Sequence, residues 1–217
     1  MGGDYVELRC RSAFSFLDGA SSPEELIAAA AEVGADALAL GDRDGVYGAP
    51  RFFAAARAAG LRPIVGVDVT LAGGPPLLLL VESRAGYRNL CRLLTAARVG
   101  LEKADRPQAT HALLAEHAGG LIALAGAAPR ADLDAIVGVF GRDNVFLEAH
   151  RHLDLADGWR ERATTAQAEA AGIAMVASND VRYATPRQRI VHDVLTCARE
   201  KLTVDEIGRH LHPNGER

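Results

Sequence analysis

Charged side chains follow several short apolar runs of this sequence, at the positions where the runs end. A carboxylate can ligate a hard metal ion or accept hydrogen bonds from a guanidinium group. An arginine has no lone pair to offer a metal, and it binds carboxylates or phosphates instead. The pattern therefore allows a metal site, an ion-pair network or a phosphate-binding site. The residues concerned are Arg9, Arg11, Asp18, Asp42, Arg43, Asp44, Asp68, Asp180 and Arg182.

Other residues that often do chemistry carry weaker signals here. His150 and His152 have the spacing of a metal-binding pair, but we interpret them as loop histidines, one of them partly packed. Cys10, Cys91 and Cys197 are odd in number and far apart, so we expect three free thiols. The sequence contains no GxGxxG, GxxxxGK[ST], GxSxG or HExxH motif.

The charged positions are separated by alternating strand-like and helix-like segments. For example, Ser22-Pro23-Glu24-Glu25 is typical of a helix start, and Gly34 ends that helix after about Val33. Short apolar runs indicate seven strands. They cover Tyr5–Arg9, Ala35–Leu40, Pro63–Leu71, Pro76–Val81, Leu121–Gly126, Asn144–Ala149 and Ile173–Ser178.

About seven strand–helix steps fit either a closed β/α barrel or a doubly wound open sheet. The charged residues favour the barrel, because they follow several different strands, and barrel sites are built from the carboxyl ends of many strands. In an open sheet, a single switch point would gather fewer of them. We therefore predict an α/β fold with a barrel of about seven strands.

The composition limits the classes of function. The chain of 217 residues is 49% hydrophobic and 24% charged, which is typical of a globular domain. Its longest apolar run is too short to cross a bilayer, and no basic-then-apolar leader opens the sequence, so we expect a cytoplasmic protein without a membrane partner. A formal net charge of −4 argues against a free-standing duplex-binding module.

Six segments, in chain order, resemble the N-terminal PHP (polymerase and histidinol phosphatase) domain of bacterial DNA polymerase III alpha subunits. They are YVELRCRSAFSFLDGAS, ALGDRDGVYG, PIVGVDVTL, ESRAGYRNLCRLL, VASNDVRYATP and IVHDVLTCAREKLTVDEIGRHLHPNGER. FSFLDGAS is most similar to the error-prone, damage-tolerant paralogue. The resemblance implies a distorted seven-stranded barrel over residues 1–185, followed at 186–217 by a short helical extension that leads into a polymerase body.

The family pattern implies a three-metal phosphoesterase site at the carboxyl ends of the strands, and this sequence departs from it consistently. Arg9 and Arg11 stand where the family has His-x-His. Arginine also replaces the histidine of Asp-His-Asp at Asp42–Asp44 and of Asn-Asp-Val-His at Asn179–Arg182. The family's Gly-Cys is Gly126-Ala127. Only Asp18, Asp68 and Asp180 remain as plausible ligands.

From these departures we expect a degenerate site that holds no metal and does no catalysis. Arg9, Arg11, Arg43 and Arg182 would pair with Asp18, Asp68 and Asp180, and Asp42 and Asp44 would add supporting ion pairs. Two alternatives stay open. One is a working phosphoesterase or 3′–5′ exonuclease that uses Asp18, Asp68, Asp180 and His150 or His152. The other is a module in which the arginines bind DNA or an accessory protein.

The resemblance also implies the wider role of the chain. The domain would be a non-catalytic scaffold of an error-prone polymerase in replication and translesion repair. Its partners would be the polymerase body of the same chain, DNA through that body, and accessory replication or repair proteins. No cofactor is expected for this segment, whereas the polymerase body would use Mg²⁺.

Overall fold

The computed structural model describes residues 5–102 and 105–212. Within this part of the chain, six strands form one sheet, in which each strand is hydrogen-bonded to the next in sequence order. The strands are β1 (Ala37–Arg43), β2 (Arg62–Val69), β3 (Leu77–Val81), β4 (Leu121–Ala125), β5 (Val145–His150) and β6 (Ala174–Ser178).

Seven helices accompany this sheet in the described residues. They are α1 (Pro23–Glu32), α2 (Ala49–Ala58), α3 (Arg84–Arg98), α4 (His111–His117), α5 (Arg130–Phe140), α6 (Asp157–Ala171) and α7 (Arg189–Glu200). The predicted start of α1 is confirmed, because Ser22 and Glu25 form a capping box and Pro23 opens the helix.

The sheet is mixed rather than wholly parallel. β3 runs antiparallel to both β2 and β4, while the other neighbouring strands pair in parallel. The segment Ala72-Gly73-Gly74 lies between β2 and β3, and the chain makes this reversal without an intervening helix. The predicted α/β class and the barrel-like curvature are confirmed, whereas the strand count in the described chain is six.

The predicted strand Tyr5–Arg9 is wrong as a regular strand, although its residues lie where a barrel needs one. Single parallel bridges join Glu7 to Leu38 of β1 and Cys10 to Val181, just beyond β6. The Glu7 carboxylate accepts hydrogen bonds from the amides of Arg9 (2.8 Å) and Asn179 (2.9 Å). Because these amides donate to a side chain, they are not available for a continuous ladder of backbone hydrogen bonds. The segment therefore closes the curled sheet through isolated bridges and not as a regular strand.

Alternation along the strands separates two environments. Ala39, Leu78, Leu80 and Leu124 pack together inside the curled sheet. The residues of opposite parity face the helices, and Val67, Leu79 and Leu147 belong to the largest apolar cluster. The interior cluster fills one end of the barrel. The other end, where every strand except β3 has its carboxyl terminus, receives the charged side chains.

Among the described residues, no helix covers one side of the barrel. The outward residues of β6, such as Met175 and Ala177, are exposed, whereas most outward residues of the other strands are buried. A groove of about 810 Å³ lies there and is lined by residues of α1, β6 and α6. None of the helices in the described ranges is long and apolar enough to cross a membrane.

The C-terminal part contains α7 and a 3₁₀ turn at Gly208–His210. The division into a barrel over 1–185 and a junction over 186–217 stays a prediction. Residues 213–217, which complete the LHPN-x-ER segment, lie outside the described residues. Cys10, Cys91 and Cys197 are free thiols, as predicted, and Cys10 and Cys197 are buried.

A candidate ion-pair site at the barrel mouth

The local backbone explains why Arg9 and Arg11 share one environment. In the extended segment, alternate residues point to the same side, so both arginines point into the barrel while Cys10 packs outward with Leu26 and Ile27 of α1. Asp68 lies beside Arg43 in the register of β1 and β2, and it also points inward. The segment and β2 therefore place two guanidinium groups over one carboxylate.

Arg9 links the first described segment to two strands. Its Nε donates to Oε2 of Glu148 over 2.7 Å, and its Nη1 donates to Oδ1 of Asp68 over 3.0 Å. The side chain of Arg9 is 7% exposed and those of its two partners are fully buried. Water cannot screen these contacts, so each charge depends on its protein partners.

Arg11 occupies the centre of the site. Its Nη2 donates to Oδ2 of Asp68, and its Nη1 lies 3.0 Å from Oδ2 of Asp18 and 3.7 Å from Oδ1 of Asp180. One guanidinium group therefore contacts all three carboxylates that the sequence left as metal-ligand candidates.

Asp18 gathers arginines from separate parts of the chain. Besides Arg11, its carboxylate accepts hydrogen bonds from Arg43 (2.8 Å), Arg182 and Arg199 (3.3 Å). Arg182 also donates to Asp180 over 2.7 Å. Arg9, Arg11, Arg43 and Arg182, the four arginines that the sequence analysis singled out, thus all lie within one connected network of charges.

The pKa directions agree with this geometry. Burial alone would raise the pKa of Asp18, but the guanidinium groups of Arg182, Arg11 and Arg43 together hold it below its ordinary value. The pKa of Asp180 is likewise lowered, because Arg182 and Arg11 outweigh its burial. Burial opposes the charge of Arg11, yet Asp68, Asp180 and Asp18 raise its pKa. Asp18, Asp180 and Arg11 are therefore all charged near neutral pH.

The expected ion pairs of Asp42 and Asp44 are wrong. Asp42 alternates with Arg43 along β1 and points to the other side of the sheet, where it accepts hydrogen bonds from Ser12 and Ser15. Asp44 accepts from the amide and the hydroxyl of Thr70, both over 2.8 Å. Burial raises the pKa of each carboxyl group. Both residues hold loops of the site in place.

Sequence reasoning missed two members of the network. Glu148 lies in β5 at the same parity as Phe146, so it points inward to Arg9, and it also accepts a hydrogen bond from Ser178. A glutamate inside the apolar run NVFLEA was the available signal. Arg199 comes from α7, far along the chain, and no local pattern distinguishes it from a solvated helix residue.

The histidine pair lies at the edge of the site. His150 Nε2 is 3.3 Å from Oε1 of Glu148, and Nε2 of His152 is 2.8 Å from the carbonyl oxygen of Asn179. The two rings stack with their centroids 5.6 Å apart. His152 is buried at 4% exposure, which agrees with our interpretation of one packed loop histidine.

Backbone strain accompanies the loops that carry the carboxylates. Leu17, Asp44 and Asp180 have φ angles of 60°, 50° and 52°, in the left-handed region that non-glycine residues seldom adopt. The surrounding hydrogen bonds must hold these conformations, since each costs on the order of 1 kcal/mol or more. The network and its loops therefore depend on each other.

The residues present do not fit a metal cluster. Within the described ranges, no group of three or more histidine, cysteine or acidic residues is arranged to hold a metal ion. Arg11 fills the space between Asp18, Asp68 and Asp180, and a protonated guanidinium group repels a cation placed beside it. The carboxylates are already neutralised by arginine.

The barrel with a charged site at its strand ends defines a PHP-type domain, and comparison with known families agrees. A model of the PHP domain matches residues 7–168, so the chain belongs to the PHP domain family.

Relatives identify the kind of protein that carries such a domain. The chain is 42% identical to error-prone DNA polymerases from Anaeromyxobacter sp. strain K, over 229 residues, and from Xanthomonas axonopodis pv. citri, over 220 residues. Each match covers 98% of this chain and 20% of the polymerase. The predicted resemblance to error-prone polymerases is confirmed, and the chain spans about one fifth of their length.

Solved structures share the fold at low sequence identity. A protein assigned as a metal-dependent phosphoesterase from Bifidobacterium adolescentis has a TM-score of 0.61 at 16% identity, over 84% of this chain and 89% of that chain. An amidohydrolase from Chromobacterium violaceum has a TM-score of 0.60 at 16% identity, over 82% and 87%. At these identities, the likeness concerns the fold alone.

Proposed function

We propose that this chain is a non-catalytic PHP domain that serves as a structural scaffold of an error-prone DNA polymerase. The observation that carries the proposal is the position of Arg11, whose guanidinium group contacts Asp18, Asp68 and Asp180 at once. These carboxylates are the remaining metal-ligand candidates, and an always-protonated side chain supplies the positive charge beside them.

The scaffold role is supported by how the network joins distant segments. Arg9 connects residue 9 to residue 148, and Asp18 connects the first loop to Arg182 and Arg199. Loss of one partner in a buried pair leaves an uncompensated charge, which costs about 3–5 kcal/mol. A network that links the first loop, β2, β5 and α7 therefore favours one arrangement of the barrel mouth.

The rival phosphoesterase function has less support. Turnover would need a metal or a water activated beside the substrate phosphorus, and the carboxylates that could hold a metal are bonded to arginines. The binding-module alternative is also weaker, because Arg43, Arg182 and Arg199 share the carboxylate of Asp18 rather than presenting free guanidinium groups to a phosphate.

The relatives support a wider setting that is also part of this proposal. We place the domain in a cytoplasmic polymerase that acts in replication and translesion repair, reaches DNA through its polymerase body and uses Mg²⁺ there. Accessory replication or repair proteins are further partners in this proposal.

The test combines metal content with turnover. The chain is purified without chelator and without a histidine tag, its metal content is measured by elemental analysis, and hydrolysis of a phosphodiester is followed with added Mn²⁺ or Zn²⁺. We expect neither stoichiometric metal nor turnover. The variant Asp68→Asn controls for trace activity, since any turnover of this site would fall with it. One equivalent of metal together with turnover that Asp68→Asn abolishes would refute the proposal.

A further inference from the structure

Helix α7 has its hydrophobic face towards solvent. Ile190, Val191 and Val194 are 74%, 47% and 52% exposed, whereas His192 and Thr196 are 2% and 1% exposed. Positions i, i+1 and i+4 lie within about 100° of one another around a helix, so the three aliphatic side chains form one patch. An amphipathic helix of a self-contained domain normally has the opposite orientation.

The buried side of α7 is polar but specifically packed. The ring of His192 stacks on that of His212 with 5.1 Å between centroids and lies 5.8 Å from the ring of Tyr183. The hydroxyl of Thr196 donates to the carbonyl oxygen of His192 over 2.9 Å. These contacts and the packing of Cys197 hold α7 with its aliphatic patch outward, so the exposure follows from the orientation of the whole helix.

The C-terminal end of α7 is attached to the ion-pair network. Arg199 donates to the carbonyl oxygen of Leu17 over 3.0 Å and to the carboxylate of Asp18. The loop that it contacts exposes further apolar surface, since Phe16 is 79% and Leu17 is 40% exposed. The loop at the C-terminal end of α7 thus adds exposed apolar side chains of its own.

We infer that the aliphatic patch Ile190–Val191–Val194 is the docking surface for the rest of the polymerase chain, which would cover it with apolar side chains of its own. This inference rests on the proposed function. The polymerases that match this chain are about five times longer, so most of such a molecule lies outside the described structure.

The size of the patch favours a covalently attached partner over a separate one. α7 has 12 residues, so its exposed face is about 18 Å long. Stable association of separate proteins buries about 800 Å² on each partner, which one helix face of this length does not supply. A partner on the same chain is held at high effective concentration, so a small apolar contact suffices.

The experiment compares amide hydrogen exchange of residues 189–200 in this chain and in the full-length polymerase that carries it. We expect exchange to slow at least about tenfold in the full-length protein, because burial of one aliphatic side chain is worth roughly a factor of ten. The pair Ile190→Ser with Val194→Ser should abolish the added protection there. In the isolated chain it should leave thermal stability almost unchanged.

The matched control is Val99→Ser, which alters a valine that is 75% exposed at the end of α3. It should leave the protection of residues 189–200 intact. Equal exchange in the two proteins would overturn the inference. So would a concentration-dependent dimer of this chain that the Ile190→Ser, Val194→Ser pair dissociates, because the patch would then belong to a second copy. The aliphatic patch does not touch the ion-pair site, so metal content and turnover test the proposed function separately from this inference.

Discussion

The Nε atom of Arg9 donates a hydrogen bond over 2.7 Å to Oε2 of Glu148, and this contact joins the closing segment of the barrel to β5. Both side chains are almost or completely buried from solvent. An aliphatic residue in place of one partner leaves the other charge buried, whereas aliphatic residues in place of both remove two charges together. The pair therefore stabilises the barrel by mutual compensation rather than by a large favourable energy of its own.

A double-mutant cycle tests this relationship. We expect Glu148→Leu to lower the free energy of unfolding by about 3–5 kcal/mol, because it removes one of the two carboxylates that compensate the buried charge of Arg9. Adding Arg9→Met should restore more than about 1 kcal/mol of that loss. Denaturant unfolding measures the free energy of unfolding of the single and the double variant. The exposed pair of Arg130 and Asp134 is the control, and Asp134→Leu should change stability by no more than about 1 kcal/mol. Simple additivity of the two buried changes would contradict the mutual compensation.

Stability should fall as pH rises from mildly acidic to neutral. Burial raises the pKa of Glu7 to about 7 from an ordinary value of 4.5. The folded state therefore binds a proton more tightly than the unfolded chain, and this contribution is complete below pH 4.5 and lost through pH 7. The loss is on the order of 3 kcal/mol. Glu7→Gln should flatten this slope in pH-dependent unfolding, while Glu32→Gln, at the exposed end of α1, should retain it.

At lower pH, the dependence of stability on pH should have the opposite sign, so that stability falls as the pH falls. Guanidinium partners lower the pKa values of Asp18 and Asp180, and His150 together with Arg9 lowers that of Glu148, in each case against the effect of burial. Their contributions are present above the ordinary pKa of the aspartates, 3.8, and are lost as the pH falls through the lowered values. Maximum stability is therefore expected near pH 4–5. A stability maximum at neutral pH would contradict the assignment of Glu7, whereas stability that does not fall below about pH 4 would contradict the assignments of the other three carboxyl groups.

Gly19 should not tolerate a side chain. A Cβ atom there would overlap the carbonyl group of Ser12, so Gly19→Ala must displace the loop that carries Asp18. We expect a loss of about 1–3 kcal/mol. Gly138 lies inside α5 with no atom near its Cβ position, so Gly138→Ala should instead stabilise by roughly 0.5–1 kcal/mol. Thermal unfolding distinguishes the two, and equal effects would refute the steric argument.

Restoring one family histidine should not restore a metal. Arg11→His replaces one guanidinium group, but Arg9 and Arg182 still contact Asp68 and Asp18. A metal site needs several ligands at once, so zinc content after incubation and gel filtration should match that of the unchanged chain. Stoichiometric zinc in this single variant would show that the site is only one ligand short of function.

Local sequence patterns were sufficient for the start of α1 and for most strands. The capping box of α1 and the apolar runs of β1 to β6 act within a few residues, so the chain reveals them without tertiary information. The positions of Arg9, Arg11, Arg43 and Arg182 at the ends of strands likewise follow from the sequence. The absence of histidine at these four positions also follows from the sequence, because it depends on residue identity alone.

Only the tertiary structure decided which charges meet. Asp42 and Arg43 are adjacent in sequence but point to opposite sides of β1, while Arg199 reaches Asp18 across 181 residues. The irregular closing segment depends on the Glu7 carboxylate, which bonds amides 2 and 172 residues away. The outward patch of α7 depends on where the rings of Tyr183 and His212 lie. Residue identity determines the available interactions, and the fold determines which of them are made, because contacts between distant segments exist only after the chain has folded.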